Sequence, residues 1–156
     1  MVRLDIPGFG RRDIEHLVLD FNGTLAEDGG LVEGVAERLR TLSRDLAVVV
    51  ITADTFGRAR EELAGLPVTL HVLSGTDHSR AKLRLVEELG ALSTACIGNG
   101  RNDRLMLAAA GLGIAVVQKE GAASEAITAA AVVARDIREA LDLLTGPRRL
   151  TATLRD

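Results

Sequence analysis

Short runs of aliphatic and β-branched residues alternate with stretches of helical period along almost the whole chain, and that alternation leaves few folds open. The runs lie near residues 17–20, 46–51, 68–73, 94–98, 113–117 and 131–134. Strands separated by helices build a parallel sheet with helices on both faces. Between the first two runs, Val32, Val35, Ala36, Leu39 and Leu42 keep one helical face apolar, while Glu33, Glu37, Arg38 and Arg40 lie towards the other. A second helix is expected after Thr55, stopping at Gly65-Leu66-Pro67. A third spans about Asp77 to Leu89 with Gly90 as its cap. A fourth begins at Asn102-Asp103, a fifth near Ala122 in an Ala-rich stretch, and a sixth follows Asp136 and closes at Gly146-Pro147. The two ends differ: Val2, Leu4, Ile6 and Leu150, Ala152, Leu154 alternate with polar residues, which predicts half-buried strands paired as an antiparallel terminal ribbon.

Composition narrows the function. A chain of 156 residues is one domain's length, enough to bury roughly 70% of its unfolded surface. A net charge of −3 with 26% charged residues gives no electrostatic reason to expect nucleic acid or an anionic membrane. Aromatic residues are only 2%, without Trp or Tyr, so no platform exists for stacking bases. Cys96 lies in an apolar run and reads as a small buried residue. No run approaches the ~20 apolar residues of a membrane span, and Asp5, Pro7 and Gly8 stand where a signal peptide is apolar. A cytoplasmic protein is expected. His16, His71 and His78 are scattered without ligand spacing, and Arg11-Arg12 and Arg148-Arg149 are too short for a nucleic-acid patch.

The chemistry sits at the strand ends. The run Leu17-Val18-Leu19 stops in Asp20 and a Gly23-Thr24 turn, and the carboxyl end of a buried strand is where ligands bind in such sheets. The second run ends in Thr52-Ala53-Asp54, Lys82 opens the third helix, and the fourth run ends in Gly98-Asn99-Gly100-Arg101-Asn102-Asp103. An acceptor carboxylate, a hydroxyl, an ammonium and a polar loop are the parts of phosphoryl transfer. Taken singly, each also has a plain structural reading. Asp20 suits a turn, Thr52 a cap, Lys82 a solvated face, Asp54 a helix start, and Asn102-Asp103 a helix N-cap.

Together, Asp20-Phe21-Asn22-Gly23-Thr24-Leu25, Thr52, Lys82 and the Gly98–Asp103 segment resemble the four motifs of the haloacid dehalogenase superfamily. Within it the chain is most similar to the phosphorylation domain of P-type ATPases and small soluble proteins like it. Residues 110–116 and 130–133 match the region downstream, so the likeness covers roughly residues 14–145. The resemblance implies a three-layer α/β Rossmann-like fold, sheet order 3-2-1-4-5, formed by one domain over residues 1–156. It also implies that Asp20 is nucleophile and Mg²⁺ ligand, with the backbone carbonyl of Asn22, Asn99 and Asp103 as further ligands and Asn102 orienting the shell. Thr52 and Lys82, with Gly23 and Ala53, would hold the phosphoryl group.

Two departures bear on activity. Phosphatase members carry an acid two residues after the nucleophile, where this chain has Asn22, and an amide cannot transfer that proton. Asn99 replaces an acidic ligand, which weakens binding of a hard cation. The Asp20–Thr52 and Thr52–Lys82 intervals are each used up by a helix and a strand, which leaves no room for a cap domain. An uncapped site suits a large substrate, a phosphoprotein partner, or closure by oligomerisation, with Ala26-Glu27-Asp28-Gly29-Gly30 as a short flap. Three functions stay open. The first is a Mg²⁺-dependent phosphohydrolase acting on a phosphorylated small molecule or protein. The second is a catalytically weak domain of the same fold that binds metal, phosphate or a regulatory partner. The third is a response-regulator receiver, ranked last because its acceptor ends a third strand and Asp20 ends a first. A transport ATPase is not expected, since no membrane span or nucleotide domain is present.

Overall fold

The computed structural model describes residues 1–54 and 57–156. An antiparallel hairpin of β1 (Val2–Ile6) and β2 (Gly10–Ile14) leads into β3 (His16–Asp20), a two-residue-stranded hairpin of β4 (Ala26–Glu27) and β5 (Gly30–Leu31), and α1 (Val35–Leu42). There follow β6 (Ala47–Thr52), α2 (Arg58–Glu62), β7 (Thr69–Val72), α3 (His78–Leu89), β8 (Thr94–Gly98) and α4 (Arg104–Ala109). The chain ends with β9 (Leu112–Val116), α5 (Ser124–Ala129), β10 (Val132–Ala134), α6 (Ile137–Thr145) and α7 (Pro147–Leu154). Six strands form one parallel sheet in the order β10-β9-β8-β3-β6-β7. Counted from β3, this is the expected order 3-2-1-4-5 with β10 added at one edge.

The period of two along the strands divides the core into two layers. Leu17, Leu19, Val48, Val50, Ala95 and Ile97 meet Val35 and Leu39 of α1 and Ile137, Leu141 and Leu144 of α6. Val18, Val49, Ile51 and Cys96 face the other way, onto Val86 of α3, Met106 and Leu107 of α4, and Ala126 of α5. Each fully buried aliphatic side chain contributes about 1.5–3 kcal/mol, so β3, apolar on both faces, is held from both sides. Cys96 is free and fully buried, and burial pushes its thiol well above the ordinary range. Among the described residues no helix is long and apolar enough to cross a membrane.

Helix ends follow the chemistry of their caps. Asp77 accepts from the Arg80 N–H before α3, Gly90 follows its end, and Asp136 accepts from the N–H groups of Arg138 and Glu139 at the start of α6. The expected start of the second helix, after Thr55, falls on Thr55-Phe56 and lies outside the described residues. What is described there is one short helix, Arg58–Glu62, ending before Gly65.

The expectation of a terminal ribbon is corrected. β1 pairs with β2, in register from Val2↔Ile14 to Ile6↔Gly10, and residues 150–154 belong to α7, which lies against β1. Pro147 stands in the first turn of α7, where its fixed φ suits a helix, and Leu150 and Leu154 then share a face. The intervening Pro7-Gly8-Phe9 turn, with Gly8 at φ 83° and the Phe9 N–H donating to the Ile6 carbonyl, lets β1 close on a near neighbour at small entropic cost.

Candidate active site

Asp20 is the last residue of β3, between β6 and β8 where the strand order reverses, the crevice that ligands occupy in open parallel sheets. The chain then turns sharply: the N–H groups of Thr24 and Ala26 both donate to the Phe21 carbonyl, and Gly23 adopts φ 75°. The structure brings Lys82 directly to Asp20. Its ammonium donates to Asp20 Oδ1 at 2.7 Å, to Asp103 Oδ1 at 2.6 Å and to Asn102 Oδ1 at 3.4 Å, which uses its three protons. Lys82 is only 2% exposed. Asp103 is fully buried, and its Oδ2 accepts from the N–H groups of Asn99 at 3.0 Å and Gly100 at 2.8 Å. Both oxygens of Asp103 are therefore engaged, and the expectation that it ligates a cation does not fit its geometry. It holds Lys82 and shapes the loop after β8.

Two carboxylates thus share one ammonium in a dry site. Burial, then repulsion by Asp103, push the Asp20 carboxyl up to about 7 against the pull of Lys82. Burial alone would lower Lys82, but Asp20 and Asp103 outweigh it and hold the ammonium above its usual range. The folded chain therefore keeps a proton on Asp20 that the unfolded chain releases near 3.8. Stability falls as pH rises from about 4 to about 7 on this account, because the unfolded state binds fewer protons in that window. Urea denaturation of the cation-free protein at pH 5 and 7.5 measures the slope, and Asp20→Asn should reduce it. An equal slope in both proteins would assign it elsewhere.

Thr52 and Ala53 flank Asp20 on the β6 side. Thr52 is buried, and its Oγ1 accepts from the Asp54 N–H at 3.0 Å, which leaves the hydroxyl proton to donate to a ligand. Asp54 also accepts from the Ala59 N–H in α2 at 2.9 Å, the helix-start role read from the sequence. Asn22 and Ala53 are exposed, and with Phe21, Asp28, Gly29, Asp54 and Arg58 they line a cleft of about 510 Å³. The 26–30 segment, expected as a flap, is a short hairpin beside the cleft: β4 and β5 are joined by Asp28-Gly29 with φ 51° and 81°, the hand that two-residue hairpin turns favour. Glu62 of α2 accepts from the Leu31 N–H at 2.8 Å and ties the flap down.

On the β8 side, Asn99 donates its Nδ2 to the Gly121 carbonyl at 3.1 Å, which aims Oδ1 at the Thr24 hydroxyl, 3.2 Å away. That hydroxyl is also 3.3 Å from Asp20 Oδ2. Among the described residues no three or more His, Cys, Asp and Glu side chains are grouped to hold a metal. A cation here would rest on mixed oxygens, the donor chemistry of Mg²⁺ and Ca²⁺. A cradle for one is present at Gly23: a Cβ there would stand 2.6 Å from Asn99 Nδ2, 2.6 Å from Glu120 Oε2 and 2.9 Å from Asn99 Oδ1. Gly23→Ala therefore meets both positive-φ strain, about 1–2 kcal/mol, and two polar side chains. It should lower the urea midpoint and weaken ligand capture at Asp20 by roughly tenfold or more; unchanged values would mean the cradle is empty space.

Thr24 and Gln118 escaped the sequence reading as site residues. Gln118 follows β9; its Nε2 donates to the carbonyls of Gly23 at 3.0 Å and Thr24 at 2.9 Å, and its Oε1 accepts from the Ile137 N–H at 2.8 Å. One amide thus fixes the loop after Asp20. Its place just past the carboxyl end of a strand was the available signal. Of the histidines, His71 is exposed and His78 bonds the Gly75 carbonyl at 2.9 Å.

No family model matches the chain. Uncharacterized protein MJ0073 of Methanocaldococcus jannaschii is 48% identical over 80 residues, 49% of this chain and 86% of that one. Among solved structures, the cobalt-bound deoxy-D-mannose-octulosonate 8-phosphate phosphatase of Haemophilus influenzae superimposes with a TM-score of 0.72 at 21% identity, covering 90% of this chain and 92% of that one. The corresponding phosphatase of Moraxella catarrhalis, solved with magnesium, phosphate and the KDO sugar, gives 0.72 at 17% identity over 90% and 91%. A putative haloacid dehalogenase family hydrolase of Streptomyces avermitilis gives 0.70 at 23% identity over 87% of each chain.

Proposed function

This chain belongs to one family with MJ0073 of Methanocaldococcus jannaschii and has the fold of the haloacid dehalogenase phosphatases, and on that premise we propose that it is a Mg²⁺-dependent phosphohydrolase working through an aspartyl phosphate on Asp20. The observation that carries the reading is Asp20 itself: a carboxylate at the carboxyl end of the central strand, bonded to a buried Lys82 and close to an open cleft. The structural relatives named as sugar-phosphate phosphatases support a phosphorylated small molecule as substrate. The flap and α2 border the cleft, and we read the site as uncapped within one catalytic domain, like the phosphorylation domain of P-type ATPases. A phosphoprotein substrate and closure by a second copy belong to the same reading, as does a cytoplasmic location.

Asp20 Oδ2 attacks phosphorus while the bond to the leaving oxygen breaks, and that oxygen takes its proton from solvent. Water then attacks the aspartyl phosphate and releases phosphate with the carboxylate restored. Thr52 donates to a phosphoryl oxygen, with Ala53 and Gly23 giving close backbone approach, and Lys82 neutralises charge between phosphate and Asp20. Asp20, the Asn22 carbonyl and Asn99 hold the cation, which when bound neutralises the phosphate oxygens. Lys82 and Asp103 are positioned behind the reacting carboxylate. Asn22 stands where a proton shuttle would, and its amide cannot serve as one. That loss is worth roughly 10²–10⁴-fold, so the aspartyl phosphate is long-lived and turnover slow. Asn22 and Asn99 also favour a second reading, a domain that binds phosphate or a partner without turnover.

Beryllofluoride with Mg²⁺ tests the first reading. A trifluoroberyllate adduct seen by fluorine NMR in the wild type, and absent in Asp20→Asn, is expected together with slow hydrolysis of p-nitrophenyl phosphate. An adduct without hydrolysis selects the second reading, and no adduct at millimolar Mg²⁺ removes the aspartyl phosphate altogether.

A further inference from the structure

The loop after β8 offers the cation an amide at Asn99, and Asp103 is consumed by Lys82 and two backbone N–H groups. Of the ligands assigned so far only Asp20 is anionic, and the Lys82 ammonium sits 2.7 Å from it. A divalent hard cation held by one carboxylate beside a buried positive charge is poorly compensated. The structure places another carboxylate at the same spot, from a different strand end. Glu120 lies in the turn after β9, where the Gly121 N–H donates to the Gln118 carbonyl at 2.8 Å. That turn is bound to both sides of the site, through Asn99 Nδ2 on the Gly121 carbonyl and through Gln118 on the carbonyls of Gly23 and Thr24. Glu120 Oε2 and Asn99 Nδ2 each stand 2.6 Å from the Cβ that Gly23 lacks, so the carboxylate and the amide are within about twice that distance of each other. The neighbouring Lys119 points to Glu27 of the flap, 2.9 Å away, and leaves Glu120 without an ion pair or hydrogen bond among the described residues.

We infer that Glu120 supplies the anionic ligand that position 99 lacks, so that the cation is held by Asp20, the Asn22 carbonyl, Asn99 and Glu120. This rests on the proposed cation-dependent reading of the Asp20 site. The acid has moved from the end of β8 to the turn after β9, with Gly23 leaving the space through which it reaches the site. Mg²⁺ in the intact chain thereby ties that turn to the nucleophile loop.

Mn²⁺ binding followed by electron paramagnetic resonance, with Mg²⁺ as competitor, tests this without turnover. Glu120→Gln should weaken Mn²⁺ by roughly tenfold or more, the effect of losing a charged ligand or its close support. Asn99→Asp in the Glu120→Gln background should recover most of the affinity by returning the acid to the β8 loop. Glu125→Gln, which removes the same charge from α5, should stay at the wild-type value. Wild-type binding that Glu120→Gln retains within twofold, or loses no more than Glu125→Gln does, overturns the Glu120 assignment alone. Absence of binding by the wild type itself overturns the cation-dependent reading and this inference with it, and circular dichroism of each variant shows whether it is folded.

Discussion

Asp20→Asn should abolish hydrolysis and beryllofluoride trapping while leaving a folded protein. The amide keeps the shape of the carboxyl group and can still accept from Lys82, but it cannot attack phosphorus, so the rate should fall by on the order of 10³-fold or more. Stability should move the opposite way. Above pH 7 the wild type holds two buried carboxylates around one ammonium, with Asp20 raised by burial and by Asp103. The amide leaves a balanced Lys82–Asp103 pair, so the urea midpoint at pH 8 in the absence of cation should rise. Loss of activity with a gain of stability is the signature of a strained functional group. A variant that retains the wild-type rate removes Asp20 from the chemistry.

Lys82→Met should have the largest effect on folding. The side chain is 2% exposed and its ammonium is bonded at 2.7 and 2.6 Å to two carboxylates, one of them fully buried. Methionine fills similar volume but leaves Asp20 and Asp103 facing each other without a counter-charge. Breaking a buried ion pair from one side costs about 3–5 kcal/mol, a large share of what holds a domain of this size. The deficit should shrink at pH 5, where Asp20 takes up a proton, and in the Lys82→Met/Asp103→Asn double variant. Urea denaturation at both pH values reads all three. A deficit that is small and independent of pH would show that the two acids are not forced together by the fold.

The sheet was legible because β3, β6, β8 and β9 are apolar at nearly every position, a pattern that only strands buried on both faces require. Asp20 stood out against that background. Lys82 did not, since a single lysine on a helix with Arg80 and Arg84 nearby looks like a solvated charge; only the packing of α3 against the loop after β8 turns it inward. β2 was hidden by its composition, as Arg11, Arg12 and Asp13 sit in a strand of a small exposed hairpin, where Asp13 pairs with Arg3 at 2.8 Å. The alternation of Leu150, Ala152 and Leu154 is equally compatible with a short helix, and Pro147 decided between the two. Glu120 and Gln118 could not be found from spacing. Their proximity to Gly23 is a property of the sheet order, which brings chain segments about a hundred residues apart to one edge.

Lys82 meets Asp20 across 62 residues of chain and Asp103 across 21, so the whole cluster is complete only when β3, α3 and the loop after β8 have all docked. A cluster that needs three separate segments is expected to close late in assembly, after much apolar surface has gone from water. Its energy is therefore felt chiefly in how slowly the native chain opens, not in how fast it forms. The carboxylate we propose as phosphoryl acceptor thus sits in a cluster that is complete only when three separate parts of the chain have met.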